Sequence, residues 1–146
     1  MNFTNWLLFV ANLPGRNQTL RMRVWRSLKA SGAAALRDGV YVLPASAAAR
    51  VLFERQSQDI QEGGGTAYIL ELAGHTDSGG HGDGLRTLFD RTAEYQTVAS
   101  KLQTLRRDLG KLEELDARRR LSAINREVVA LTAVDFFPGE SRAQVE

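Results

Sequence analysis

The sequence predicts an α+β fold in which a small antiparallel sheet precedes a helical hairpin. Three observations predict it. Residues 6–72 alternate strand-length apolar runs with amphipathic segments in the order β-α-β-β-α-β. A glycine-rich stretch, Ala73 to Gly84, then breaks the pattern. Beyond it, apolar residues recur at heptad spacing, the mark of packed helices.

The first strand is Trp6 to Leu13, a continuous apolar run ended by Pro14-Gly15. Such a run suits a central strand buried on both faces. Asn17 or Thr19 caps the helix that follows, which extends to Ala30. On it Leu20, Val24 and Leu28 form a core stripe with Trp25 beside it. Arg23, Arg26 and Lys29 fall on the opposite side and Arg21 on the flank. Gly32 ends the helix. Ala33 to Arg37, Asp38-Gly39 and Val40 to Leu43 read as a hairpin, with Asp-Gly suited to a type I′ turn. Ser46 caps a second helix, Ala47 to Glu62, with Ala49, Leu52, Phe53 and Ile60 inward. Gly63-Gly64-Gly65 ends it, and Thr66 to Leu72 is a fourth strand rich in β-formers. This order defines the ferredoxin-like arrangement, one antiparallel sheet with two helices on one face.

The expected domains are therefore a ferredoxin-like unit over residues 1–72, a flexible linker over 73–84, a helical hairpin over 85–137 and a frayed tail over 138–146. In the hairpin, Tyr95, Val98, Leu102, Leu105, Leu109 and Leu112 form one seam. Leu121, Ile124, Val128 and Leu131 form another in a different phase, so a turn separates them. Either Gly110 breaks the helix or Asp116 caps a new one. These apolar residues also suit a homodimer, although an intrachain hairpin alone would satisfy them.

The charge is uneven. The net charge is only +2, which argues against a generic polycation. Yet residues 1–60 hold eight basic side chains against three acidic ones, and none of the acids lies between Arg16 and Arg37. Of the 19 basic residues 16 are arginine, whose planar fork matches phosphate and guanine edges. Arg16, Arg21, Arg23, Arg26, Lys29 and Arg37 are thus the candidate contacts to double-stranded DNA. A second basic block, Arg118-Arg119-Arg120 with Arg126, stands among Glu113, Glu114, Asp116 and Glu127, and intrahelical ion pairs account for much of it.

Other chemistries find little support. With no cysteine, thiol catalysis and Cys-ligated zinc are excluded, and the composition suits a reducing cytoplasm. Both histidines, His75 and His81, lie with Asp77 and Asp83 in the glycine-rich stretch, a poor frame for a metal or a catalytic triad. No phosphate-loop, dinucleotide, zincin or nucleophile-elbow motif occurs. The expectation is a cytoplasmic, non-enzymatic protein with no cofactor, no metal and no membrane span.

The residues that carry these readings also resemble a known family. Trp6-Leu7-Leu8-Phe9-Val10 ending in Leu13-Pro14, then Leu20-Arg21-Met22-Arg23-Val24-Trp25-Arg26-Ser27-Leu28, Gly32-Ala33 and Asp38-Gly39-Val40-Tyr41-Val42-Leu43-Pro44 are similar to the N-terminal region of ChrB proteins. The closing Ala133-Val134-Asp135-Phe136-Phe137-Pro138 is similar to the end of that region. The resemblance implies a chromate-responsive transcriptional regulator encoded beside a chromate efflux transporter. Members usually continue into a second domain linked to chromate sensing, so the chain is expected to be a short stand-alone member or an incomplete regulator, with sensing supplied by a separate domain or subunit. A more distant resemblance is to the ferredoxin-like domain of PaaX-type repressors and of the small CRISPR-associated integration protein, which forms dimers. Nuclease-active forms carry an Asp at the end of the first strand, where this chain reads Val10-Ala11-Asn12. Three readings follow: a DNA-binding regulator, a non-enzymatic dimerisation or protein-interaction module of a chromate-response system, and, disfavoured by Asn12, a metal-dependent nuclease.

Overall fold

In a computed structural model the chain divides into two compact units, Met1–Leu88 and Phe89–Glu146. The structure describes residues 5–73, 81–143 and 145. The first unit holds β1 (Trp6–Asn12), α1 (Gln18–Ala30), β2 (Ala34–Arg37), β3 (Val40–Pro44), α2 (Ala47–Glu62), β4 (Thr66–Leu72) and α3 (His81–Thr87). The α+β expectation holds, and the four strands form one antiparallel sheet in the order β2-β3-β1-β4.

Central placement explains the unbroken apolar run of β1, which pairs with β3 on one side and β4 on the other. Phe9 lies opposite Tyr41 and Ile69 and stacks on Phe53 of α2 with ring centroids 5.0 Å apart. Phe9, Phe53, Leu28 and Ile60 are fully buried. Gln56 Nε2 donates to Ser27 Oγ at 2.8 Å and ties α2 to α1. On the opposite face of β4, by strand alternation, Tyr68, Leu70 and Leu72 remain exposed.

Local chemistry sets the helix starts. Asn17, not Thr19, caps α1, its Oδ1 accepting from the Leu20 amide at 3.0 Å. Ser46 Oγ accepts from the Ala49 amide at 3.0 Å and caps α2. Each side chain satisfies an amide that the first turn leaves unpaired.

The hairpin turn departs from type I′. That turn needs positive φ at both central residues. Here Gly39 has φ 81° and no described non-glycine residue has positive φ, so Asp38 keeps an ordinary backbone. The register shifts between Ala35 and Arg37, and that irregularity takes up the difference. Glycine is required at 39 for a second reason, because a Cβ there would sit 2.6 Å from the Ala11 carbonyl oxygen.

The second unit holds α4 (Thr92–Asp108), a 3-10 turn (Leu109–Lys111), α5 (Glu114–Ala133) and α6 (Glu140–Ala143). The break falls at Gly110; Asp116 lies within the first turn of α5, where its charge favours the helix N-terminus. Val98, Leu105 and Ile124 form the buried centre between α4 and α5, with Leu102, Leu112, Val128 and Leu131 packed around it. Phe89 is fully buried and meets Phe136 and Phe137 edge-on at 5.7 and 6.2 Å. The buried Asp135 accepts a hydrogen bond from the Tyr95 hydroxyl at 2.7 Å.

Three expectations change at the ends of elements. The segment expected to be linker through Gly84 is helical from His81, and the first unit extends to Leu88. The expected mobility of residues 74–80 lies outside the described residues. The tail expected to fray forms a short helix at Glu140–Ala143. Among the described residues no helix is long and apolar enough to cross a membrane.

Candidate nucleic-acid interface

The orientation of α1 follows from its apolar spacing. Leu20, Val24 and Leu28 are buried, each four residues from the last, so they hold one side of the helix against the core. The opposite side then carries Arg23, Arg26 and Lys29 into solvent, and all three are exposed. Arg16 is exposed in the β1–α1 connection and Arg37 at the end of β2. None of these five has an acidic partner among the described residues. Their charge is available to an external anion.

Arg21 differs. It is only partly exposed, and its Nη2 donates to the Leu13 carbonyl at 3.2 Å. The guanidinium fastens the end of the first apolar run to α1. It also faces Tyr41, whose hydroxyl is held above its ordinary pKa by burial first and the Asp38 carboxylate second, with Arg21 acting against them. Arg21 therefore has a structural partner that Arg23 and Arg26 lack.

Trp25 and Met22 supply a feature that the charge pattern hides. Trp25 is 42% exposed and Met22 44% exposed, so Trp25 is not a core residue. Lys29 Nζ lies 4.7 Å from the centre of the Trp25 ring, a cation–π contact. The signal was in the spacing: residues 22, 25, 26 and 29 share the face opposite the 20, 24, 28 stripe.

Two of the four arginines of the second basic block, Arg118 and Arg120, are committed to ion pairs. Arg118 meets Glu114 at 2.6 Å within α5, and Arg120 meets Asp108 of α4 at 3.4 Å. Glu127 pairs with Lys101 at 2.8 Å, not with an arginine. The sequence favoured intrahelical pairs; two of these three cross between helices.

His75 and Asp77 lie outside the described residues, and His81 and Asp83 fall within α3. Among the described residues no group of three His, Cys, Asp or Glu side chains suits a metal ion. Asn12 is the last residue of β1 and is exposed.

Comparison with known proteins covers most of the chain. Residues 21–132 match the family model described as Protein ChrB, N-terminal. The chain is 36% identical over 143 residues to Protein ChrB of Cupriavidus metallidurans, a match that takes in 98% of this chain and 44% of that protein. The chain thus spans less than half the length of that relative. No solved structure matches.

Proposed function

The chain belongs to the ChrB N-terminal family, and from that membership we propose that it is a transcriptional regulator of chromate resistance that binds double-stranded DNA through the outer face of α1. One observation carries the reading. Arg16, Arg23, Arg26 and Lys29 are exposed, lie in a segment without acidic residues, and have no acidic partner among the described residues. Cations left unpaired in this way contribute affinity for backbone phosphates by releasing counterions. Arg37 extends the patch beyond the helix. Arg21 holds α1 in place and contributes to the field more than to contact.

The strand order and the antiparallel pairing support the ferredoxin-like assignment of the first unit. The regulator acts as a homodimer and without catalysis. The neutral Asn12 at the end of β1 counts against a nuclease, because it supplies no carboxylate for a metal. In this reading the chromate-sensing function belongs to a separate domain or subunit.

A mobility-shift assay with promoter DNA from the protein's own gene neighbourhood tests the proposal. The wild-type protein retards the fragment. Reversing Arg23 and Arg26 to Glu reduces affinity at least tenfold, about 1.4 kcal/mol, with little change in stability because both side chains are exposed. A folded double variant with unchanged binding would remove α1 as the DNA site and favour the second reading, a dimerisation or protein-interaction module. The exposed Trp25 and Met22 are the observation that keeps that reading in view.

A further inference from the structure

The outer face of α1 carries two apolar side chains among its cations. Met22 stands three residues before Trp25, four before Arg26 and seven before Lys29, so the four share one side of the helix. At 3.6 residues per turn Met22 lies about 160° round the helix from the buried Val24, and Trp25 about 100°. Met22 is thus near the middle of the outer face and Trp25 on its flank, and both are exposed. Arg23, Arg26 and Lys29 on the helix and Arg16 just before it are exposed with no acidic partner among the described residues. An apolar side chain gains nothing from a phosphate, so counterion release does not account for this pair.

Charge and shape together indicate what covers it. The cations repel a basic partner and draw a polyanion. On its base edges the major groove of a duplex offers one apolar group, the thymine C5-methyl, and that groove admits an α-helix. Binding of single strands relies instead on bases stacked on an open aromatic face. Here Lys29 Nζ, 4.7 Å from the centre of the Trp25 ring, already takes one face of the indole.

We infer that Met22 reads thymine. With α1 in the major groove, its thioether packs on thymine C5-methyl groups, Trp25 shields the contact from water, and the cations hold the flanking phosphates. The inference rests on the DNA-binding reading above and deepens it, from affinity for a duplex to a sequence preference at this face.

Promoter duplexes with every thymine replaced by deoxyuridine test it, since the change removes the methyl and keeps the base pair. Mobility shift at fixed salt compares them with the native promoter and with an unrelated duplex. The wild-type chain binds the deoxyuridine promoter about fourfold more weakly for each methyl that it buries. Met22→Ala binds the native promoter more weakly than wild type and no longer distinguishes it from the deoxyuridine form. Trp25→Ala weakens promoter binding in the same direction. Both variants keep the wild-type salt slope and the wild-type affinity for the unrelated duplex, because no charge changes. Circular dichroism checks their folding, and the deoxyuridine comparison needs no variant at all. Equal wild-type affinity for the native and deoxyuridine promoters would overturn this inference and leave phosphate contact standing. So would a folded Met22→Ala with wild-type promoter affinity, or tighter binding to single strands. A deoxyuridine loss that persists in Met22→Ala would assign the effect to DNA shape and overturn it equally. A wild-type chain that retards no duplex would overturn the DNA-binding reading itself, and this inference with it.

Discussion

The two units differ in how many of their cations are paired with carboxylates. In the sheet unit, fully buried aromatics such as Phe9 and Phe53 make the core, and Arg16, Arg23 and Arg26 are left with no acidic partner among the described residues. In the hairpin unit the buried centre is slimmer, and Lys101, Arg118 and Arg120 are all paired with carboxylates. Unpaired cations on a rigid face suit binding an external anion. Paired cations beside open leucines suit holding helices together. Basic residues are better judged by whether their charge is already answered than by how many stand in a row. Arg118-Arg119-Arg120 is the denser run, yet the sparser Arg23 and Arg26 are the freer pair.

The sharpest test of the contrast in cores is Phe53→Ala. Its ring is fully buried against Phe9, so the substitution should cost about 3–5 kcal/mol in denaturant unfolding and abolish the fold of the first unit. A loss well below that would mean that the sheet unit is no better packed than the hairpin.

Tyr95→Phe comes next. It removes the donor that the buried Asp135 accepts from at 2.7 Å, and should destabilise the second unit by about 1–3 kcal/mol. Thermal unfolding of the variant checks it. A neutral effect would show that the hairpin unit depends on its apolar seam alone.

Within α1, Arg21→Ala and Arg23→Ala should differ. The first loses the bond to the Leu13 carbonyl, worth about 1 kcal/mol, and should lower stability. The second should change stability by less than about 0.5 kcal/mol. Equal losses in chemical denaturation would erase the distinction between the anchoring and the available arginine.

The smallest effect belongs to pH. Asp90 Oδ1 accepts from both the amide and the hydroxyl of Thr92, at 3.0 and 2.6 Å, just before α4. Those bonds, the hydroxyl first, hold its carboxyl below the ordinary carboxylate range. A lowered folded-state pKa adds stability above the unfolded value, and that stability is lost as pH falls through the folded one. The start of α4 should therefore exchange its amides faster on acidification below the carboxylate range. Asp90→Asn should remove the pH dependence.

Much of this contrast was legible in the sequence because it rests on local periodicity. Leu20, Val24 and Leu28 oriented α1, and the caps Asn17 and Ser46 lay where short polar side chains meet apolar runs. The bounds Thr66–Leu72 followed from β-formers between glycines and Ala73. What was not legible depends on partners distant in sequence or on backbone angles. Arg21 finds a carbonyl eight residues earlier, and Tyr95 finds Asp135 forty residues later. Arg120 reaches back to Asp108 because the turn at Gly110 brings the two helices together. The ordinary φ of Asp38 reflects the shifted strand register, which composition does not encode. Glycine content concealed the helix at His81–Thr87, since glycine at 82 and 84 lowers helix propensity without forbidding the helix.

Contact between phosphates and the available cations on and just before α1 is read from the salt dependence of promoter-DNA affinity for the wild-type chain and for Arg23→Gln/Arg26→Gln. Four contacts from Arg16, Arg23, Arg26 and Lys29 predict that the logarithm of affinity falls against the logarithm of salt with a slope of about −4 per bound copy. Neutralising two of them should bring that slope to about −2 while the protein remains folded. A wild-type slope near zero, or a slope unchanged in the double variant, would contradict the account.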